Sequence, residues 1–228
     1  MSYATEKMLE KGCEYAAEHL EVSQQDVEYA AGRFLVSGTD RRVGLFEIAN
    51  KVVAGGELLS GSHEHFAQAG MFASGSHACE VEVDPETGMV TIERYIAVSD
   101  PGTIVNPMLA EGQVHGGIVQ GIGHAVSERV VYEFDTGQLL TGSFMDYAIL
   151  RADDMPEFET FWNPVKTDEN PLGVKGVGEI GTMGAPAAVM NAITDALKSL
   201  GITDIQVPVT SEFVWRQIRS VNALVSSR

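Results

Sequence analysis

Residues 170–190, NPLGVKGVGEIGTMGAPAAVM, constrain this chain more than any other stretch. Five glycines fall between Gly173 and Gly184. A core is not built from residues without side chains. Glycines let backbone turn where other residues cannot, and let it approach a neighbour closely. The segment then runs into a helical pattern, with Val189, Met190, Ile193, Leu197 and Leu200 recurring at helix spacing. Pro186 is expected near the start of that helix, where its missing N–H costs nothing. The stretch thus holds one carboxylate, Glu179, on a glycine-rich loop just before a helix N-terminus.

Three readings of the loop compete. Gly176-x-Gly178-x-x-Gly181 matches the dinucleotide-binding fingerprint, and Asp204 lies about where a ribose-binding acid would be sought. The context argues against it. Pro171, Gly173 and Lys175 interrupt the strand that should enter the first glycine, and Glu179 would put negative charge where a pyrophosphate must sit. The second reading is a glycine-rich surface turn with a solvated glutamate. The third is a catalytic carboxylate, held by close backbone beside a bound cofactor. The stretch alone does not rank the last two.

Composition removes several classes of function. The chain has 228 residues, enough for one large domain or two small ones, and 44% of them are hydrophobic. Its net charge of −17 argues against nucleic acid and anionic membranes as partners, because both require basic patches. There is no run of eighteen apolar residues of the kind that spans a bilayer. The first residues carry Glu6, Lys7, Glu10 and Lys11 rather than the apolar core of a signal peptide. Cys13 and Cys79 stand far apart and form no CxxC, which suits a reducing cytoplasm.

Along the chain, residues 2–20 read as a helix with Leu9, Cys13, Ala16, Ala17 and Leu20 on one side. Residues 27–29 and 33–36 pair as a hairpin around Ala31-Gly32, residues 37–42 form a loop, and 44–53 a second helix. Residues 1–56 carry no chemistry and read as a packing layer; residues 57–228 carry the motifs. His63, His65, His77 and Cys79 spell HxH and then HxC, which are legitimate metal-ligand types. The gap between the pairs fits no compact site, so surface histidines and a core Cys79 are expected instead. Residues 78–83 and 89–98 alternate as strands across a DPETG turn. Asp100-Pro101-Gly102 is a turn. Residues 109–128 read as a helix despite five glycines, each costing about 1 kcal/mol against alanine, so something is expected to pack very close there. Residues 130–134 and 138–140 are expected to form a hairpin. Strands are expected at 158–162 and 202–207, and a last helix at 211–224, capped by Thr210, with Phe213, Val214, Ile218 and Val221 inward. Without regular βαβ repeats, the fold class is α+β.

Several motifs together resemble one family. The stretch GVKGVGEIGTMGAPAAVMNAI is similar to the Lys-Gly-x-Gly-Glu-x-Gly signature near the C-terminus of the large subunits of the molybdenum hydroxylases, the xanthine dehydrogenase and aerobic carbon monoxide dehydrogenase family. Residues 79–84 with the following PETG, Asp100-Pro101-Gly102 through Asn106-Pro107, Glu111 to Gly117, and Thr141 to Tyr147 resemble the same subunit in the same order. The resemblance runs from about Glu6 onward. GQVHGG and GSFMDY are closer to the carbon monoxide dehydrogenase-like branch, which also contains many organic hydroxylases.

The resemblance implies a C-terminal domain that binds a molybdopterin cofactor, of the cytosine dinucleotide form, with molybdenum. It implies oxidation of a carbon centre with water-derived oxygen and electrons leaving through iron–sulfur clusters and FAD on partner subunits. Glu179 matches the family's general base, which must lie within hydrogen-bond reach of the proton it takes. Gln113 matches an amide that contacts the pterin, offering both donor and acceptor. Lys175, Gly176 and Gly178 are further cofactor contacts, His115 and Gln120 weaker ones, and His124 belongs on the helix surface. The matched part is only the C-terminal portion of a much longer subunit. The earlier pterin-contacting segments are absent, as is the loop carrying the copper-binding cysteine of carbon monoxide dehydrogenase. The chain alone is therefore expected to be inactive, to need the remainder of the large subunit and the iron–sulfur and flavin subunits, and to self-associate into oligomers. In this family, residues outside the matched part select among small-molecule substrates. A second class stays open: a non-catalytic assembly or interaction domain that keeps the fold.

Overall fold

The computed structural model describes residues 2–66 and 68–226. The chain divides into two compact units, Met1–Phe66 and Ala67–Arg228. Among the described residues no helix is long and apolar enough to cross a membrane.

The first unit is a helix pair on a small antiparallel sheet. Helix α1 spans Ser2–Leu20, strands β1, β2 and β3 span Val27–Ala30, Arg33–Val36 and Arg42–Gly44, and helix α2 spans Leu45–Ala54. The β1–β2 hairpin turns at Ala31 and Gly32, both with positive φ. Strand β3 lies within and just beyond the stretch expected to be a loop; its three residues are too short to show alternation, and pairing with β2 defines it. Phe34 is the centre of the core, with Ala16, Ala17, Val43, Ile48 and Val52 around it. Gly12 of α1 leaves room for that ring, since a Cβ there would strike it.

The second unit places three helices against a mixed sheet. Strand β4 (Ser74–Val83) pairs antiparallel with β5 (Val90–Asp100), and β6 (Phe158–Trp162) joins the other edge of β5 in parallel. A parallel neighbour requires a crossover, and the connection from β5 to β6 includes helix α3 (Pro107–Val126). Asn106 caps α3 by accepting from the Leu109 amide at 3.2 Å, and Pro107 stands at its first turn. Helix α4 (Ile180–Lys198) packs on α3 and on β4. Helix α5 (Ser211–Ser226) begins at Thr210, whose hydroxyl accepts from the Phe213 amide at 3.3 Å. The core joins Tyr95 and Ala97 of the sheet to Val114, Ile118 and Ile122 of α3, to Val189, Ile193 and Leu197 of α4, and to Val214 and Ile218 of α5.

Four details differ from the sequence expectation. Strand β4 starts at Ser74 rather than at residue 78, so His77 lies in the sheet and not in the loop before it. The expected 130–140 hairpin is reduced to one bridge, Tyr132 to Leu139. Residues 202–207 form no strand: Ile202 and Ile205 fasten the segment to the core without a backbone ladder. Pro186 lies inside α4, two turns past its start, because the helix begins at Ile180 and Glu179 occupies the N-cap.

Candidate functional site

The glycine-rich loop is tied down at its root. Asn170 folds it: its Oδ1 accepts from the Leu172 and Val174 amides at 3.2 and 3.1 Å, and its Nδ2 donates to the Val174 carbonyl at 2.9 Å. Gly173 follows with φ +66°. The loop then runs beside the Asp100-Pro101-Gly102 turn. The Thr103 amide donates to Gly173 O at 2.9 Å and the Lys175 amide to Pro101 O at 2.8 Å. Gly102 also has positive φ, and a Cβ there would collide with the Gly173 carbonyl.

Asp100 is the knot of this assembly. It is 8% exposed. One carboxylate oxygen accepts from the Gly102 and Val165 amides at 3.0 and 2.8 Å, and the other holds the Lys175 ammonium at 2.6 Å. Burial alone would raise the Asp100 carboxyl. The Lys175 ammonium and the two amides outweigh burial and bring it down to about 2.

From this root the chain passes Gly176 and Gly178 to Glu179. A cleft of about 710 Å³ opens here, lined by Gly176, Gly178, Glu179, His77, Phe72 and Met183 among others. Glu179 is exposed, and its carboxylate has no hydrogen-bond or ion-pair partner among the described residues. It sits at the positive end of the α4 dipole. Gln113, on the second turn of α3, brings its Nε2 to 3.3 Å from the position of a Cβ at Gly178. Gln113 therefore meets the loop at Gly178, next to Glu179, although more than sixty residues separate them in sequence.

Four of the five glycines of α3 divide into two sets, while the fifth, Gly123, makes room for the Glu128 side chain. Gly117 and Gly121 face α4. A Cβ at Gly117 would lie 3.0 Å from the Thr182 amide, and one at Gly121 would lie 2.8 Å from the Ala185 Cβ. From the other side, a Cβ at Gly181 would lie 2.6 Å from the Ile118 amide. For these three the close neighbour is a helix. Gly112 and Gly116 flank Gln113, and a Cβ on either would meet no atom within 4 Å; Gly176 is open in the same way.

The other sequence candidates lie elsewhere. Lys175 turns its ammonium onto Asp100. His115 packs edge-on against Phe158, and Gln120 accepts from Thr182 Oγ1 at 3.3 Å; neither lines the cleft. His124 is exposed on α3. His63 lies tilted against Tyr3 in the first unit, with ring centroids 4.7 Å apart. No group of three His, Cys, Asp or Glu among the described residues is placed to hold a metal ion. Cys79 is half-buried in the second core, and burial pushes its thiol up to about 11. Two participants escaped the sequence reading. Asp100 was legible only as a turn residue, and its signal was Lys175, the nearest cation to the glycine run. His77 was legible only as half of an HxC pair.

Comparison with known proteins bears on this geometry. Residues 1–156 match the family of molybdopterin cofactor-binding domains. The chain is 38% identical over 215 residues to the nicotine 6-hydroxylase large subunit of Paenarthrobacter nicotinovorans, covering 90% of this chain and 26% of that one. The crystal structure of a Cu,Mo-CO dehydrogenase superposes with a TM-score of 0.81 at 30% identity, covering 96% of this chain and 28% of that one. Quinoline 2-oxidoreductase from Pseudomonas putida 86 gives 0.79 at 32% identity, covering 93% and 28%. The chain thus spans little more than a quarter of the length of its relatives. On the strength of the family match and the identity with these relatives, the chain belongs to the molybdopterin cofactor-binding domains of the molybdenum hydroxylases.

Proposed function

We propose that this chain is the part of a molybdenum hydroxylase large subunit that covers one side of the cofactor and supplies the general base, Glu179. The observation that carries this reading is a partner-free Glu179 lining one cleft beside the open Gly176 and beside Gly178, against which the Gln113 amide packs from α3.

The residues present fit a pterin-based group. Gly112, Gly116 and Gly176 leave space where any other residue would place a side chain, and a flat heterocycle can lie against such backbone. Gln113 offers a donor and an acceptor on one amide, the complement of a pterin edge. When bound, the molybdenum cofactor, in its cytosine dinucleotide form, supplies the redox chemistry and the oxygen transfer from water.

The protein's own part is positioning and proton transfer. Asp100 and Lys175 fix the root of the loop, so Gly176 and Gly178 present their peptide groups to the cofactor from a rigid base. The carboxylate of Glu179 takes the proton released as water-derived oxygen is transferred to carbon. The α4 N-terminus holds that carboxylate facing the cleft. Phe72 and Met183 make the adjoining wall apolar, and both are open to solvent in this chain, so water would be excluded once the remainder of the large subunit packs over them. Iron–sulfur and flavin groups on partner subunits would take up the electrons, and the remainder of the large subunit would complete the pocket. The half-buried thiols Cys13 and Cys79 suit a cytoplasmic location.

Glu179→Gln tests the assignment in the complex purified with its partners. Turnover is expected to fall by roughly 10²- to 10⁴-fold, with molybdenum content unchanged. Loss of molybdenum together with turnover would make Glu179 a binding residue and overturn the base assignment. The chain alone is expected to show no dye-linked turnover; activity there would contradict its dependence on the missing parts.

A further inference from the structure

One polar side chain of the cleft has no role in the account above. His77, in the N-terminal half of β4, lines the same cleft as Glu179. Its ring lies flat on α4 at Gly184: a Cβ at that position would sit 2.6 Å from Nδ1 and 2.7 Å from Cγ and Cε1. Its Nδ1 is 2.7 Å from the hydroxyl of Tyr95, and the two rings meet edge to face at 5.7 Å. The imidazole is therefore held on its face by a helix and at one nitrogen by a hydroxyl.

The hydrogen of that bond can be assigned. Tyr95 is fully buried, and His77 is the only hydrogen-bond partner of its hydroxyl among the described residues. Burial raises the tyrosine pKa, so the hydroxyl keeps its proton. A buried O–H with one partner donates to it, because the alternative leaves the proton unsatisfied. Nδ1 is then the acceptor, and the ring hydrogen resides on Nε2. Burial also lowers the His77 pKa, which keeps the ring neutral. Nε2 has no hydrogen-bond partner among the described residues.

We propose that His77 is a specificity-determining residue: Tyr95 locks it as the Nε2–H tautomer, and Nε2–H donates one hydrogen bond to a neutral acceptor atom on an otherwise apolar molecule bound in the cleft. The acceptor is neutral because an anion would face the Glu179 carboxylate in the same cleft. The rest of the molecule is apolar because Met71, Phe72, Val177, Ile180 and Met183 form the walls. An aromatic ring nitrogen or a carbonyl oxygen has the required chemistry. The proposal rests on reading this cleft as the substrate side of the molybdenum site.

Quinoline and naphthalene test it, since they share size and shape and differ by one ring nitrogen. Their dissociation constants are measured by equilibrium dialysis on the complex purified with its partners, for wild type, His77→Phe, His77→Gln and Tyr95→Phe. Wild type is expected to prefer quinoline by roughly tenfold, the worth of one neutral hydrogen bond. His77→Phe keeps an aromatic ring and is expected to lose the preference. His77→Gln, whose amide nitrogen reaches about as far as Nε2, is expected to retain most of it. Tyr95→Phe frees the ring to carry its hydrogen on Nδ1 and is expected to weaken the preference while His77 remains. Equal affinities in wild type, or an unchanged preference in His77→Phe, would overturn the proposal. A fall in molybdenum content in His77→Phe with the preference intact would place the donor on the cofactor and also overturn it. Molybdenum content and the Glu179→Gln effect are read on the same preparations, so a failure of the hydroxylase reading is seen separately from a failure at His77.

Discussion

Asp100 concentrates the electrostatics of the site in one carboxylate. Its pKa is depressed to about 2 in the folded chain, against about 3.9 for an ordinary aspartate. A depressed carboxyl contributes stability above the unfolded value and loses it as pH falls through the folded one. The root of the glycine loop is therefore expected to hold down to about pH 4 and to loosen between about pH 4 and 2. Asp100→Asn keeps an acceptor for the Gly102 and Val165 amides but leaves the Lys175 ammonium unpaired in a mostly buried place. Removing one partner of such a pair is expected to cost on the order of 3 kcal/mol. Chemical denaturation of the variant complex checks this; a cost near zero would mean that solvent already shields the pair.

At the scale of elements, the α3–α4 crossing decides where Glu179 stands. Gly117, Gly121 and Gly181 let two helices meet at backbone distance. In Gly181→Val, the new Cβ would press on the α3 backbone, which cannot move as a side chain can. A loss of roughly 3 kcal/mol or more is expected, read as a lower denaturation midpoint. Gly112→Ala and Gly116→Ala are expected to do the opposite, since nothing stands within 4 Å of either position. Each is expected to stabilise α3 by up to about 1 kcal/mol and to lower molybdenum retention by filling the cradle. Unchanged retention in both would remove Gly112 and Gly116 from the cofactor contact.

Much of this was legible in the sequence, and the exceptions have physical reasons. The helix patterns of α1, α3, α4 and α5 and the β4–β5 pair follow from periodicity, because one face of each element is buried. The glycines of α3 were legible as a sign of close approach, but not as two sets. The signal was their phase: Gly117 and Gly121 follow Val114 and Ile118 by three residues and share their buried face, whereas Gly112 and Gly116 flank Gln113. Pro186 misled because proline at a helix start and proline inside a helix look alike in one sequence. Residues 202–207 have the apolar content of a strand, yet a strand is defined by a partner, which local pattern cannot supply. The ion pair of Asp100 with Lys175 spans seventy-five residues and exists only once the turn and the loop lie side by side.

At the scale of the whole molecule, the chain spans about a quarter of the length of the relatives it matches, and its surface carries open apolar side chains. Phe134, Phe144 and Met145 are 99%, 89% and 93% exposed. Large apolar side chains left open in this way mark contact surfaces, which fits the proposal that further parts of a large subunit pack here. The net charge of −17 disfavours nucleic acid as that partner. The central claim is that these residues hold a molybdenum cofactor, and its most direct test is the molybdenum and released pterin content of the chain purified with its natural partners from cells that make the cofactor. Stoichiometric molybdenum with pterin is the expected result. A stable complex that contains neither would contradict the claim and leave the fold serving assembly alone.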